Sequence, residues 1–252
     1  MTDNPEKIND DITLHQNPGS LAFGTDAYLL SAYIRRQPKE TACELGAGSG
    51  VISLLLSARG KFSHITAIEI QAPIAEIAVR NVEKNGFSDK IDVICGDIRR
   101  RSASLSGAFG AVFANPPYLP IDCGKHSENE ADAASRHEIH GDITDFAAAA
   151  ADYLKFGGVF YAVYRPDRLA ELICACRENR LEPKRMTLVY PTASHPPSLM
   201  LLEAKKNGAP GMFVTKPLII YRAGLAQTNE NYTDDMNYIY ENGAFHEQYQ
   251  KP

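Results

Sequence analysis

Cys43-Glu44-Leu45-Gly46-Ala47-Gly48-Ser49-Gly50-Val51 is the stretch that decides how this chain folds. An apolar approach ends in an acid, three glycines alternate with small residues, and the apolar run Val51-Ile52-Ser53-Leu54-Leu55-Leu56 follows. Such a pattern reads as strand, tight turn and helix, with glycines where the backbone must come close to a neighbour. The helix start behind the turn offers N–H groups without intrahelical partners and the positive end of a dipole. A turn that joins two elements and binds nothing fits the same residues. What it binds is therefore decided elsewhere in the chain.

Working outward, the segments alternate. Thr41 to Leu45 is an expected strand, and a helix at about 49–59 follows the turn. His64-Ile65-Thr66-Ala67-Ile68-Glu69-Ile70 is a β-branched strand that ends in an acid. Glu69 lies 25 positions past Glu44, close to the distance at which doubly wound folds bring a carboxylate to ribose hydroxyls. Pro73 to Asn85 has helical periodicity closed by Gly86, and Ile91 to Cys95 is a third strand running into Gly96-Asp97. Phe109 to Ala114 is a fourth strand, stopping at Asn115-Pro116-Pro117-Tyr118. Beyond a polar, histidine-bearing loop at 119–141, helices are expected at 142–154 and about 167–179, with Gly157-Gly158 breaking the pattern before a strand at 159–164. Three further strand-like runs cover 185–190, 198–204 and 217–222. Strands and helices in this order predict an α/β fold with a mostly parallel sheet and an antiparallel terminal strand pair.

Upstream, Gly24-Thr25-Asp26 precedes the helical run Ala27 to Ile34, with Thr25 or Asp26 as the expected N-cap. The chain is thus expected to divide into an N-terminal segment, 1–23, packed on a catalytic domain at 24–223, and a tyrosine-rich acidic tail, 224–252, that physics alone does not place. With 252 residues, 44% of them hydrophobic, it can bury a substantial core. No apolar run reaches the roughly 18 residues a bilayer span requires, and the first residues lack a signal-peptide core. Five cysteines in mostly apolar surroundings predict reduced thiols and a cytoplasmic location. A net charge of −5 argues against a uniformly basic nucleic-acid binder but leaves room for a local basic patch.

Asn115-Pro116-Pro117-Tyr118 carries the sharpest chemistry. Open α/β sheets bind ligands in the crevice at the carboxyl ends of their strands. Prolines add carbonyls without N–H donors, so this turn presents acceptors. An amino group on an sp² carbon is a poor nucleophile, because its lone pair is delocalised. Hydrogen bonds from that NH₂ to the Asn115 oxygen and a proline carbonyl would draw the nitrogen toward tetrahedral geometry and aim it. Tyr118 offers an aromatic face for a flat base. By itself Asn-Pro is an ordinary turn signal. Beside the glycine turn, Glu69 and Asp97, it becomes one corner of a single crevice.

These residues resemble S-adenosylmethionine-dependent methyltransferases of the Rossmann-like class I, which implies a sheet of seven strands. The glycine spacing is G-x-G-x-G behind an acid, not the G-x-G-x-x-G of dinucleotide binders. Asn-Pro-Pro-Tyr is similar to the signature of enzymes that methylate amino groups of adenine, cytosine or a glutamine amide. Phe23-Gly24-Thr25-Asp26 with Leu29-Leu30, then Ala134-Ser135-Arg136-His137-Glu138-Ile139, and Tyr232-Thr233 with Ile239-Tyr240 further resemble the valine-tRNA adenine-N6 methyltransferase family. That resemblance spans about residues 12–240, and it departs at Phe156, where related enzymes often carry proline. It implies transfer of a methyl group from S-adenosylmethionine to the exocyclic nitrogen of a tRNA adenine beside the anticodon. Carried over, Glu44, Gly46, Gly48 and Gly50 would line the amino-acid portion of the cofactor. Glu69 would hold its ribose, Asp97 its adenine amino group, and Thr25 and Asp26 would close over it. Asn115, Pro116 and Tyr118 would hold the target base. The expected partner is the anticodon loop of a tRNA, with no membrane and a monomer or weak dimer as the working state.

Other readings of the same residues were weighed. Cys123, His126, His137 and His140 have zinc-like spacing, but the segment between them is acidic and the resemblance needs no metal there. Arg136 and His137 are better read as RNA-phosphate contacts or a helix cap. Arg99-Arg100-Arg101 stands at the rim of the crevice and offers either a solvated face or a backbone contact. Lys184-Arg185 and Lys205-Lys206 are weaker candidates of that kind. A protein-glutamine methyltransferase would carry a helical domain ahead of the catalytic one, and only about 40 residues precede the first strand. An inactive RNA-binding scaffold would have little use for an intact Asn115 to Tyr118, and a nicotinamide dehydrogenase has the wrong glycine spacing.

Overall fold

The computed structural model describes residues 6–8, 12–15, 24–117 and 141–250. Its centre is a nine-stranded sheet. Two short strands, β1 (Glu6–Lys7) and β2 (Thr13–Leu14), form a separate antiparallel hairpin ahead of helix α1 (Thr25–Tyr33). Next come β3 (Thr41–Leu45), α2 (Val51–Ala58), β4 (His64–Glu69), α3 (Ala72–Lys84), β5 (Ile91–Cys95) and β6 (Phe109–Ala114). Helix α4 (Ile143–Tyr153), β7 (Leu154–Tyr164), α5 (Leu169–Glu178), β8 (Leu181–Tyr190) and β9 (Leu199–Lys206) complete the main body. The chain continues through β10 (Phe213–Val214) and β11 (Leu218–Ile219) to α6 (Asp234–Asn242).

Across the sheet the order is β10-β8-β9-β7-β6-β3-β4-β5, with β11 also paired to β8. From β5 to β7 every pairing is parallel, and β9 runs antiparallel between β7 and β8. The expected seven strands with an antiparallel terminal pair are β3 to β9, extended by the two short parallel strands on β8. Alternation along each strand separates two cores. Ala42, Phe113, Tyr161 and Val163 pack toward α1, α2 and the C-terminal helix, while Cys43, Val112, Phe160 and Ala162 pack toward α4 and α5. Helices on both faces bury both sides of the sheet, as parallel strands require.

Several boundaries differ from expectation. Strand β7 begins at Leu154, directly where α4 ends, so Gly157 and Gly158 lie inside a strand and not in a break. Its pairing with β6 shifts register between Phe109–Leu154 and Ala111–Val159, so that these glycines fall in a bulge of β7. Strand β8 starts at Leu181, and Pro183 is accommodated by another register shift. Helix α1 is capped at Gly24, without a side-chain cap, and not by Thr25 or Asp26. The tail, unplaced by sequence, belongs to the core: Met236, Ile239, Phe245 and Tyr249 are buried, and the Tyr28 hydroxyl donates to the Tyr240 carbonyl at 2.7 Å. Arg185, read as a surface cation, is 1% exposed.

Helix α1 is buried along its whole length from Ala27 to Tyr33, and its C-terminal carbonyls therefore cannot turn to water. The Lys61 ammonium donates to the carbonyls of Ser31 (2.7 Å), Ala32 (3.1 Å) and Ile34 (2.7 Å). Arg185 Nη2 donates to the Tyr33 carbonyl at 2.8 Å and pairs with Glu203 at the same distance. Two cations thus close the negative end of the helix dipole. Burial pushes the Lys61 amine down to about 7, with Arg59 and Arg185 adding to the shift. Replacing Lys61 by methionine keeps the stem but strands three buried carbonyls, and the expected loss is about 2–4 kcal/mol. Urea denaturation of Lys61→Met checks it; a loss under roughly 0.5 kcal/mol would show that the carbonyls find other partners.

Candidate active site

Register brings the predicted residues to one edge. Leu45, the last residue of β3, pairs with Ile68 on β4 and Ala114 on β6, and Glu69 pairs with Cys95 on β5. The turn after β3, the acid ending β4, Asp97 beyond β5 and Asn115 beyond β6 therefore all leave the sheet at its carboxyl edge. Strand β3 lies between β4 and β6, so this is the point where the winding of the sheet reverses and a crevice opens.

All three glycines of the turn, Gly46, Gly48 and Gly50, have left-handed φ, at 68°, 55° and 81°. Their surroundings differ. A Cβ at Gly46 would press on the Phe146 ring at 3.3 Å, and one at Gly50 would touch Ala78 at 3.4 Å. A Cβ at Gly48 would meet nothing within 4 Å, so the space above the middle of the turn is open. Glu69 fixes that middle from the side. Its Oε2 accepts from the Gly48 N–H at 2.9 Å and its Oε1 from the Gln71 N–H at 3.0 Å. A carboxylate has about four acceptor sites, and two remain for hydroxyl donors.

Glu44 faces the other way. It is buried, and its Oε2 accepts from the backbone N–H of Ser53 at 3.2 Å and from the Ser53 hydroxyl. Burial raises its carboxyl to about 8, against the lowering pull of those two Ser53 bonds. The glutamate expected to line the cofactor's amino-acid portion is thus also the group that ties β3 to α2.

Asp97 is gripped by Arg99. Nε donates to Oδ1 (2.9 Å) and Oδ2 (3.1 Å), Nη2 donates to Oδ2 (2.8 Å), and the Arg99 N–H donates to Oδ1 (2.9 Å). That guanidinium holds the Asp97 carboxyl below the usual range. An adenine amino group offered to Asp97 has to share it. The fork of Arg99, expected to face RNA, is committed to Asp97, while Arg100 and Arg101 stay exposed on the same rim.

Asn115 and Asp26 meet across 89 residues of sequence: Nδ2 of Asn115 donates to Oδ2 of Asp26 at 3.0 Å. Asp26 is thereby placed beside the Asn-Pro turn, and Thr25 next to it is exposed. Pro116 is buried. Tyr118, Arg136 and His137 lie outside the described residues, as do Cys123, His126 and His140. Among the described residues no group of three or more His, Cys, Asp and Glu could hold a metal ion.

One supporting residue escaped the sequence reading. Asn81 on α3 is fully buried; its Nδ2 donates to the Ser49 carbonyl at 2.9 Å and the His15 carbonyl at 3.1 Å, and its Oδ1 accepts from the His15 N–H at 2.8 Å. It ties the glycine turn to the segment after β2. The available signal was an asparagine on the otherwise apolar face of a helix.

Residues 19–173 match the model of the methyltransferase small domain. The chain belongs to this family. Among curated relatives of this methyltransferase, a protein of Flavobacteriaceae bacterium strain 3519-10 is 26% identical over 77% of the chain and 81% of its own length. Another, from Porphyromonas gingivalis, is 28% identical over 75% of the chain and 76% of its own length. Both carry the name tRNA1(Val) (adenine(37)-N6)-methyltransferase. Among solved structures, a predicted O-methyltransferase of Agrobacterium tumefaciens superposes with a TM-score of 0.71 at 25% identity, covering 88% of this chain and 98% of that one. The M. jannaschii TYW2 structure in complex with AdoMet gives a TM-score of 0.56 at 15% identity, covering 81% and 85%, and shares the fold.

The buried Glu44 makes a test of the site's electrostatics. Its unfolded value is near 4.5 and its folded value about 8, so between them the folded protein holds the extra proton. Glu44 therefore favours folding at acid pH, and that contribution is lost as pH rises through about 8. Glu44→Gln has no such proton to lose. Urea titrations at about pH 5 and about pH 8.5 should show the stability difference moving in favour of the variant at the higher pH. An equal difference at both would mean that Glu44 titrates alike in both states.

Proposed function

We propose that this methyltransferase transfers a methyl group from S-adenosylmethionine to the exocyclic amino nitrogen of an adenine in tRNA, the adenine beside the anticodon of valine tRNA. The observation that carries the reading is the Asn115-Pro116 strand end, joined to Asp26 and standing beside an open glycine turn. The names of the curated relatives support the substrate.

The residues present fit the cofactor. Above Gly48 there is room where any side chain would stand, and Glu69 keeps acceptor sites for two ribose hydroxyls. Glu69 and Asp97 are the groups that would hold its ribose and adenine, and the turn its amino-acid portion. When bound, S-adenosylmethionine supplies an electrophilic methyl group on a sulfonium.

The chain's own contribution is positioning. The Asn115 side-chain oxygen and the Pro116 carbonyl accept from the target amino group and draw its lone pair out of conjugation with the ring. Proline at this place lends a carbonyl without adding a competing N–H. The amino proton passes to water after the new N–C bond forms, so no dedicated base is required. Tyr118 supplies a stacking face for the unstacked base, a term of roughly 1–3 kcal/mol. An anticodon-loop adenine is already partly exposed, which lowers the cost of capturing it. Exposed Arg100 and Arg101 beside the crevice are placed to meet RNA phosphate, and Arg136 and His137 are further basic candidates for that contact. The enzyme on this reading works in the cytoplasm as a monomer or weak dimer. Among the described residues no helix is long and apolar enough to cross a membrane.

Nucleoside mass spectrometry of tRNA from a strain lacking the gene tests the activity; an undiminished N6-methyladenosine level would overturn it. In single-turnover assays Asn115→Ala should be slower by about a hundredfold or more with near-normal cofactor affinity, because its contact is made mostly in the transition state. Wild-type rate in that variant would refute the mechanism. Gly48→Ala should cost only about 1–2 kcal/mol of stability for its left-handed backbone. Calorimetry with the same variant should show cofactor affinity falling by more than about tenfold, since the methyl projects into the open space. Unchanged affinity would move the cofactor away from the turn.

A further inference from the structure

We propose that Asp26 is a positioning residue that sets which face of the Asn115 amide meets the substrate; this rests on the amino-methylation reading above. An asparagine amide is nearly symmetric in shape, and its two faces differ only in donating or accepting. A carboxylate can only accept. With Oδ2 of Asp26 at 3.0 Å, the NH₂ of Asn115 must face the carboxylate, and its carbonyl oxygen is turned to the other side. Rotated by half a turn, two oxygens would oppose each other. The same bond therefore selects the rotamer in which Asn115 offers an acceptor, the property that capture of an amino group needs.

Three observations show that Asp26 is itself held. Its Oδ1 accepts from the Ala27 N–H at 2.8 Å, so both carboxylate oxygens are engaged in directed contacts. A Cβ at Gly24 would lie 2.3 Å from Oδ1, so the carboxylate occupies space that exists only because residue 24 is glycine. Helix α1, which carries Asp26 in its first turn, is buried on all sides and clamped at its far end by Lys61 and Arg185. A loop aspartate would swing; this one is mounted on a fixed rod. The Gly-Thr-Asp stretch thus has a geometric reason that helix capping does not supply.

Asp26→Asn, Asn115→Asp and the double variant Asp26→Asn/Asn115→Asp separate this role from its rivals. An amide at position 26 can hold either rotamer of Asn115, and the single-turnover rate at saturating cofactor and tRNA should fall by about tenfold or more, while cofactor affinity changes by less than about threefold. Asn115→Asp alone sets two carboxylates against each other and should be slower still. In the double variant the amide at 26 donates to the carboxylate at 115, which again presents an acceptor, and the rate should recover by at least about tenfold over Asn115→Asp. A double variant no faster than Asn115→Asp would overturn the proposal. So would an Asp26→Asn enzyme that loses cofactor affinity but keeps its saturated rate. A readout independent of turnover is the side-chain amide resonance of Asn115 in the free protein, assigned by its loss in Asn115→Ala. It should shift and exchange faster with water in Asp26→Ala at unchanged melting temperature, and an unmoved resonance would overturn the contact. If that signature behaves as expected while wild-type protein methylates no tRNA, the failure lies with the substrate reading and not with Asp26.

Discussion

The carbonyls of Ser31, Ala32, Tyr33 and Ile34 end a helix that has no access to water, and much of the molecule is arranged to satisfy them. Lys61 comes from the segment between α2 and β4, and Arg185 from β8. A helix closed in this way can be buried all round, as α1 is from Ala27 to Tyr33, because the carbonyls at its end are satisfied by side chains. Its buried faces then join the sheet to the C-terminal helix. At its other end stands Asp26 against Asn115, so the clamped terminus and that contact belong to one helix.

The two sides of the crevice are built by different means. Toward β4 and β5 the glycine turn works through backbone, and the acids that surround it are already bonded within the protein. Glu69 holds Gly48 and Gln71, Glu44 holds Ser53, and Asp97 holds Arg99. These bonds fix the acids before any ligand arrives, which lowers the ordering cost of binding. Toward β6 the strand end presents the side chain of Asn115, whose amide is nearly symmetric in shape and is oriented by its neighbours. Preorganisation on the first side is a matter of many short-range bonds. On the second a long-range pair, Asp26 with Asn115, contributes.

That difference governs what could be read from sequence. The glycine turn, the strand ending in Glu69 and the Asn-Pro-Pro stretch announce themselves because their constraints are local: backbone approach, alternation and proline chemistry. The mostly parallel sheet with its antiparallel pair followed from the alternation of helices and strands. Asp26 and Asn115 are 89 residues apart, so the role of Asp26 as the partner of Asn115 was not visible, and a helix cap was the natural reading. Lys61 looks like any loop lysine. Arg185 follows Lys184 and reads as half of a surface pair, but strand alternation points Lys184 out to the Ala209 carbonyl and Arg185 into the core. At Leu154 the strand begins without a turn, and Gly157 and Gly158 fall in a bulge of β7 between the pairs Phe109–Leu154 and Ala111–Val159; a Gly-Gly pair marks such a bulge as readily as a break.

Arg185 is costly to bury, and its energetics show what it is for. Glu203 offsets its charge at 2.8 Å and also takes Arg35 Nε at 3.0 Å, while the Tyr33 ring lies 3.8 Å from the guanidinium carbon. Its Nε finds no partner among the described residues. A buried ion pair of this kind adds little net stability over an apolar replacement of the same volume. Apolar replacement would, however, leave the Tyr33 carbonyl without its donor and free the C-terminal segment, which Arg185 Nη1 holds at the Tyr249 carbonyl (3.3 Å) and Gln250 Oε1 (3.1 Å). Leucine in its place would fill only part of the volume and hold none of these. The guanidinium is the only side chain with donors enough, in a fixed fork, to join α1, the sheet and the chain's last described residues at once. Its value lies in where it puts α1, and through α1 in where Asp26 stands.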